Sequence, residues 1–123
     1  MSWTVDYKNF ESPLVLIRTF SGTVTMENII SSWKYLIKKK IVTPDHIGVI
    51  SDYRNSEFQI ERKDVEKLYA FLNENFSIFD NLYLAQIVDS PKITFPKLFA
   101  LYHSEFKSQA FSTRKAALNW MGV

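Results

Sequence analysis

The segment that decides the fold is Phe111-Ser112-Thr113-Arg114-Lys115-Ala116-Ala117-Leu118-Asn119-Trp120-Met121-Gly122. An aromatic residue ends a short strand there, and two hydroxyl residues follow it. A helix with a single apolar stripe comes next, and Trp120 lies in its last turn. Gly122 follows, and glycine commonly ends helices. A strand that leads directly into an amphipathic helix is typical of α/β domains. We expect Trp120 to pack against the sheet. The segment carries no chemistry of its own.

Strand-like and helix-like patterns alternate upstream of this segment. The predicted strands cover 3–10, 14–20, 46–53, 82–88 and 108–111, and the predicted helices begin near Thr25, Glu61, Thr94 and Thr113. We expect Ser21-Gly22 to end the second strand, and residues 54–57 to form a loop after the third. The order ββαβαβαβα predicts one α/β domain over residues 1–123. Its mixed, mostly parallel sheet has about five strands and is packed by four helices.

Length and composition narrow the class of protein. A chain of 123 residues is one domain by the usual length rule. The absence of cysteine excludes disulfides and thiolate metal sites. A net charge of +2 gives no reason to expect nucleic-acid binding. No secretory signal and no apolar run of membrane-spanning length is present, so we expect no membrane span and a cytoplasmic protein.

The order of elements and several packing motifs resemble those of small bacterial STAS-like domains, which have the anti-sigma-factor-antagonist fold. The matching features are Gly22 and Thr25 before the first helix, Asp52 at the third strand, Ala85 in the fourth strand, and the segments 95–99 and 111–122. The likeness spans essentially the whole chain. It implies a mixed sheet covered by helices and a regulatory or binding role.

One family motif is missing from this sequence. In the signalling branch, the resemblance implies a phosphorylated serine in a short Asp-Ser-Ser/Thr-Gly run after the third strand. Here Asp52 is followed by Tyr-Arg-Asn-Ser-Glu, which has neither the glycine nor the paired hydroxyl residues. Ser56 is the nearest candidate and does not match the motif. The sequence therefore resembles a divergent branch that lacks the phosphoswitch.

Polar residues are expected at the carboxyl ends of two central strands, where open α/β sheets commonly bind ligands. The candidates for binding a ligand or partner are Asp52, Tyr53, Arg54, Ser56, Asp89 and Lys92, with Ser90 beside them. If the third and fourth strands are neighbours, carboxylates and cations share one rim. The alternative, which we favour, is that Asp52 and Arg54 pair with each other or cap a neighbouring helix.

No constellation of residues indicates catalysis. The two histidines, His46 and His103, lack the spacing of a metal site, and three glycines cannot form a phosphate-binding loop. No serine lies in a nucleophile elbow. We therefore expect no catalytic residues, no metal and no cofactor.

Aromatic residues make up 15% of the chain, which is more than a single helical stripe requires. Three explanations are possible for this excess, and we rank a bulky core first. An apolar patch that binds a partner or a second subunit comes second, and an apolar pocket comes third. The leading hypothesis is a regulatory or protein-interaction module that binds a protein partner or forms a homodimer. The alternative is a domain that binds a small molecule or lipid in an aromatic-lined pocket.

Overall fold

The computed structural model describes residues 2–11, 13–89, 103 and 105–123. The strands are β1 (Trp3–Glu11), β2 (Leu14–Thr25), β3 (Gly48–Gln59), β4 (Tyr83–Ile87) and β5 (Ser108–Phe111). The helices are α1 (Met26–Lys38), α2 (Asp64–Glu74), the short α3 (Phe76–Phe79) and α4 (Arg114–Met121). The helix predicted near Thr94 lies outside the described residues. Within the described part of the chain, no helix has the length and apolarity needed to cross a membrane.

The strands form one sheet in the order β1-β2-β3-β4-β5. β1 pairs with β2 in the antiparallel direction, and the other three pairings are parallel. The predicted mixed, mostly parallel sheet of five strands is thereby confirmed. The initial hairpin, the inner position of β2 and the outer position of the short β5 were also predicted correctly.

The two largest errors in the predicted boundaries concern the ends of β2 and β3, which pair with each other. Ser21-Gly22 does not end β2, which continues to Thr25 beside a β3 that continues to Gln59. The predicted loop 54–57 is therefore strand. The register of the β2–β3 pairing shifts between Thr19 and Ser21, and Gly22 has a positive φ of 88°. Glycine adopts this conformation without strain, so the strand bends instead of ending.

The sheet separates two apolar cores. The larger core lies between the sheet and helices α1 to α3, and includes Leu16, Phe20, Trp33, Val49, Leu72 and Phe79. The smaller core lies under α4 on the opposite face, and includes Val15, Ile17, Ile50, Ala85, Ala117 and Met121. Because the central strands are covered on both faces, they form nearly continuous apolar runs.

Local sequence explains where the helices begin and end. The Thr25 side chain caps α1 in a capping box with Asn28, as the sequence predicted for the cap. Thr113 caps α4 by accepting a hydrogen bond from the Ala116 amide at 3.1 Å. Gly122 ends α4 in the left-handed conformation. These signals place the first residue of α4, Arg114, against the sheet.

Candidate functional site

The candidate site is built around the carboxylate of Asp52, whose side chain is only 4% exposed. Its Oδ1 accepts hydrogen bonds from the Arg54 backbone N–H at 3.1 Å and from Arg54 Nε at 3.0 Å. Its Oδ2 accepts from Arg54 Nη2 at 2.8 Å and from Arg114 Nε at 3.1 Å. Two guanidinium groups thus converge on one buried carboxylate. We call Asp52, Arg54 and Arg114 the arginine rim.

Three elements meet at the arginine rim. Asp52 and Arg54 lie in β3, at the position where the pairing of β3 with β4 ends. Arg114 is the first residue of α4, and its Nη2 also donates to Thr19 Oγ1 of β2 at 3.3 Å. The rim therefore ties α4 to β2 and β3 on the face of the smaller core. Because both arginine side chains remain about 40% exposed, they also reach solvent.

The electrostatics of the rim keep its carboxylate ionised. Burial raises the pKa of Asp52, but the hydrogen bonds from Arg54 and Arg114 outweigh burial and hold that pKa below its usual value. The hydrogen bond to Asp52 raises the pKa of Arg54, and the charge of Asp89 adds to this effect. A carboxylate whose pKa is lowered and that already accepts four hydrogen bonds is poorly suited to act as a general base. In the structure, its hydrogen bonds hold the two guanidinium groups in place.

The structure brings together only some of the residues that the sequence predicted to bind a ligand or partner. Asp52 and Arg54 pair with each other, which is one of the two arrangements that the sequence favoured. The negative charge of Asp89 acts on Arg54 and raises its pKa further. Tyr53 lies on the opposite face of β3, in the larger core, and is 3% exposed. Lys92 and Ser90 lie outside the described residues.

Ser56 is separate from the rim and pairs with Gly22 of β2. Its Oγ is buried and has no hydrogen-bond partner among the described residues. A kinase requires an accessible hydroxyl, whereas the Ser56 Oγ is buried although the residue as a whole is partly exposed. The geometry therefore supports the departure from the phosphoswitch motif that the sequence shows.

Sequence reasoning missed Arg114 and Thr19. Thr113 was recognised as lying before a helix, which made Arg114 its first residue. Only the packing of α4 across the sheet shows that this residue meets Asp52, 62 positions earlier in the chain. The available signal was topological, because a helix that follows an outer parallel strand begins at the same sheet edge where the parallel strands end.

Sequence reasoning also missed Arg18, which is 1% exposed in the larger core. Its Nε donates to Ser51 Oγ at 2.6 Å, and its Nη1 donates to the Ile29 carbonyl at 3.3 Å. Its guanidinium carbon lies 3.9 Å from the ring centre of Trp33. Burial lowers the pKa of Arg18, although the nearby Tyr53 opposes this effect. No salt bridge to Arg18 is present in the described part of the protein.

The two histidines have separate structural partners. His46 Nε2 lies 2.9 Å from Asn9 Oδ1, while its Nδ1 accepts a hydrogen bond from the Thr43 amide. His103 stacks on Tyr69 and lies 3.0 Å from Glu66 Oε1. Among the residues that the structure describes, no three metal-ligating side chains form a site.

The described aromatic residues pack mainly against each other. Trp33 and Phe71 both contact Phe79, and Phe20 stacks on Tyr53 at 5.0 Å between ring centres. These contacts fit a bulky core, the first of the explanations considered for the aromatic excess. Phe95, Phe99 and Tyr102 lie outside the described residues.

Comparison with known proteins gives a likeness of fold. No protein-family model and no curated protein matches the chain. An anti-sigma factor antagonist from Mycobacterium paratuberculosis superimposes with a TM-score of 0.63, at 15% identity, over 99% of this chain and 96% of that one. An uncharacterised protein with a SpoIIAA-like fold from Shewanella loihica superimposes with a TM-score of 0.61, at 12% identity, over 97% and 93% of the two chains. The chain therefore has the STAS-like fold that its sequence resembles.

Proposed function

We propose that this protein is a non-enzymatic regulatory module that acts by binding a protein partner. The observation that carries the proposal is the likeness to an anti-sigma factor antagonist over almost the whole chain. The ionised, fully hydrogen-bonded Asp52 adds support, because it offers neither a general base nor a nucleophile. Fold alone does not carry function, so the proposal also needs a surface.

We propose the arginine rim as that surface. Its two guanidinium groups are held in place by Asp52, and the arginine side chains that carry them are exposed by 37% and 42%. Arginine groups that are already ordered lose little freedom when they bind a carboxylate, and they bind it in a defined geometry. A partner with acidic side chains at its contact surface fits this rim.

The test is affinity capture from cells of the native source, followed by quantitative mass spectrometry. We expect the unaltered chain to retain a specific protein, and Arg54→Gln and Arg114→Gln to retain several-fold less of that protein. The matched control is Arg62→Gln, because Arg62 is also an exposed arginine but precedes α2, away from the rim. Circular dichroism establishes that each variant is folded.

Two results would contradict the proposal. If the unaltered chain retains no specific protein, the function as a protein-interaction module is wrong. If a specific protein is retained equally by both rim variants, the function stands, but the arginine rim is not the contact surface.

A further inference from the structure

The outer edge of β1 is long and regular. β1 pairs with β2 through all nine residues, 3–11, without a register shift. On its other side, no strand of the described chain pairs with it. Exposed sheet edges are commonly protected by proline, by a bulge, by shortness or by charged side chains, and β1 has only the last of these, in Asp6 and Lys8. β1 has no proline and no bulge, and it exceeds the mean strand length of about 5–6 residues.

The solvent-facing side chains of β1 have a self-complementary charge pattern. Every second residue of β1 lies on one face of the strand, and the four residues of this face are all exposed: Thr4, Asp6, Lys8 and Phe10. Consider a second copy of β1 placed antiparallel to the first, so that the twofold axis passes midway between the two Tyr7 residues. Asp6 then lies opposite Lys8 of the second copy, and Lys8 lies opposite its Asp6. Opposite charges at directly facing positions stabilise antiparallel pairs.

The other face of β1 agrees with the same register. Trp3, Val5 and Tyr7 are only half-buried, although they lie against the larger core. In this register, the two Tyr7 rings lie opposite each other, and Val5 lies opposite Asn9 of the second copy. Pairing would therefore cover apolar surface that one copy leaves partly exposed, and cross-strand aromatic pairs are favourable.

We propose that this chain forms a symmetric dimer by antiparallel pairing of two β1 edges, in the register centred on Tyr7. The two sheets then join into one continuous sheet of ten strands, twice the five of a single copy. The interface is isologous, because the same strand contributes from both copies. The arginine rim involves β2, β3 and α4, so the dimer does not depend on the function proposed above.

Sedimentation equilibrium over a range of concentrations tests the proposal. We expect the unaltered chain to form a dimer, and both Asp6→Lys and Lys8→Asp to weaken dimerisation by about tenfold or more, because each substitution places like charges opposite each other. An equimolar mixture of the two variants restores both opposite-charge pairs. It should therefore form a heterodimer that neither variant matches alone.

Lys34→Asp is the control, because Lys34 is an exposed lysine of α1 that does not belong to the strand edge. It should dimerise like the unaltered chain. A monomer at millimolar concentration would overturn the proposal. A dimer that is equally strong in both β1 variants would also overturn it, since another surface would then be responsible.

Disulfide cross-linking tests the register, because the chain has no cysteine of its own. Thr4 faces Phe10 of the second copy in the proposed dimer, whereas the two Thr4 residues are about 20 Å apart. A mixture of Thr4→Cys and Phe10→Cys chains should form the mixed disulfide, and Thr4→Cys alone should not cross-link. Efficient cross-linking of Thr4→Cys with itself would contradict this register.

Discussion

Arg18 is a cation enclosed by neutral groups in the larger core. It donates hydrogen bonds to the hydroxyls of Ser51 and Tyr53 and to a main-chain carbonyl, and aromatic rings lie against its guanidinium. Removing a charge from water is costly, and these partners only partly compensate. Ser51 and Tyr53 also hydrogen-bond with each other, so they keep a partner when Arg18 is replaced. Arg18 therefore contributes shape to the core more than it contributes charge.

This argument predicts the effect of two substitutions. Arg18→Met keeps most of the side-chain volume, so we expect the free energy of unfolding to change by less than about 1 kcal/mol or to increase. Arg18→Ala leaves a cavity and should lower it by about 3 kcal/mol. Urea denaturation measures both values. Equal losses in the two variants would show that the charge itself stabilises the fold.

We expect His46 to make the stability of the fold depend on pH. It bridges Asn9 of β1 to Thr43, and its Nδ1 must be unprotonated to accept the Thr43 amide. Burial lowers the pKa of His46 and outweighs the neighbouring groups that oppose this shift. The unfolded chain therefore takes up the proton first as the pH falls. The His46 contribution is complete above the ordinary histidine pKa of about 6.5 and is lost as the pH falls through the lowered value.

We expect the urea midpoint to fall between about pH 8 and about pH 5 as His46 becomes protonated. The contribution of Asp52 is constant over this range, because the pKa of that carboxyl lies below its usual acidic value. His46→Gln should reduce the fall, since glutamine does not titrate. An unchanged pH dependence in this variant would contradict the assignment to His46.

At the scale of elements, α4 is a short helix attached to the sheet by few residues. Trp120 packs edge-on against Tyr83 of β4 and at a tilt against Phe111 of β5, and it is half-buried. The expectation that Trp120 packs against the sheet agrees with these contacts. However, complete burial would be needed for the loss of about 3–5 kcal/mol that large core aromatics show.

Trp120→Ala should therefore lower the free energy of unfolding by about 2 kcal/mol. Asn119→Ala is the control, because Asn119 is the exposed neighbour in the same helix, and it should have little effect. Chemical denaturation measures the difference between the two variants. A loss below about 0.5 kcal/mol for Trp120→Ala would show that the ring contributes little to packing.

At the scale of the whole molecule, the two cores share one sheet. Trp33 of α1 lies in the larger core, and Trp120 lies on the opposite face. The buried residues of β2 and β3 alternate between the two cores. Neither core can lose its strands without exposing the other, so the cores should unfold together.

Tryptophan fluorescence can test this coupling. In a Trp3→Phe/Trp33→Phe variant only Trp120 reports, and in a Trp3→Phe/Trp120→Phe variant only Trp33 reports. In each variant, we expect the fluorescence transition in urea to coincide with the far-ultraviolet circular dichroism transition. A fluorescence midpoint well below the dichroism midpoint in either variant would show that its core unfolds separately.

Local sequence was sufficient for most of the elements. Thr25 and Thr113 indicate where helices begin, and the apolar runs of β2 and β4 indicate covered strands, because capping and periodicity depend on neighbours along the chain. The prediction of a loop at residues 54–57 was wrong because it, too, relied on neighbours along the chain. These residues have no strand signal of their own, and their strand is maintained by pairing with β2.

The sequence by itself determined the alternation of strands and helices and the STAS-like resemblance, which rest on short-range patterns. It narrowed Asp52 and Arg54 to two arrangements, a pairing with each other or the capping of a neighbouring helix. Only the tertiary structure decided that Arg114 joins Asp52 from 62 positions away and that Arg18 is enclosed in the core. It also placed Tyr53 and Ser56 away from the rim. The physical reason is that burial and long-range charge pairing depend on how the helices cover each face of the sheet, which no local pattern records.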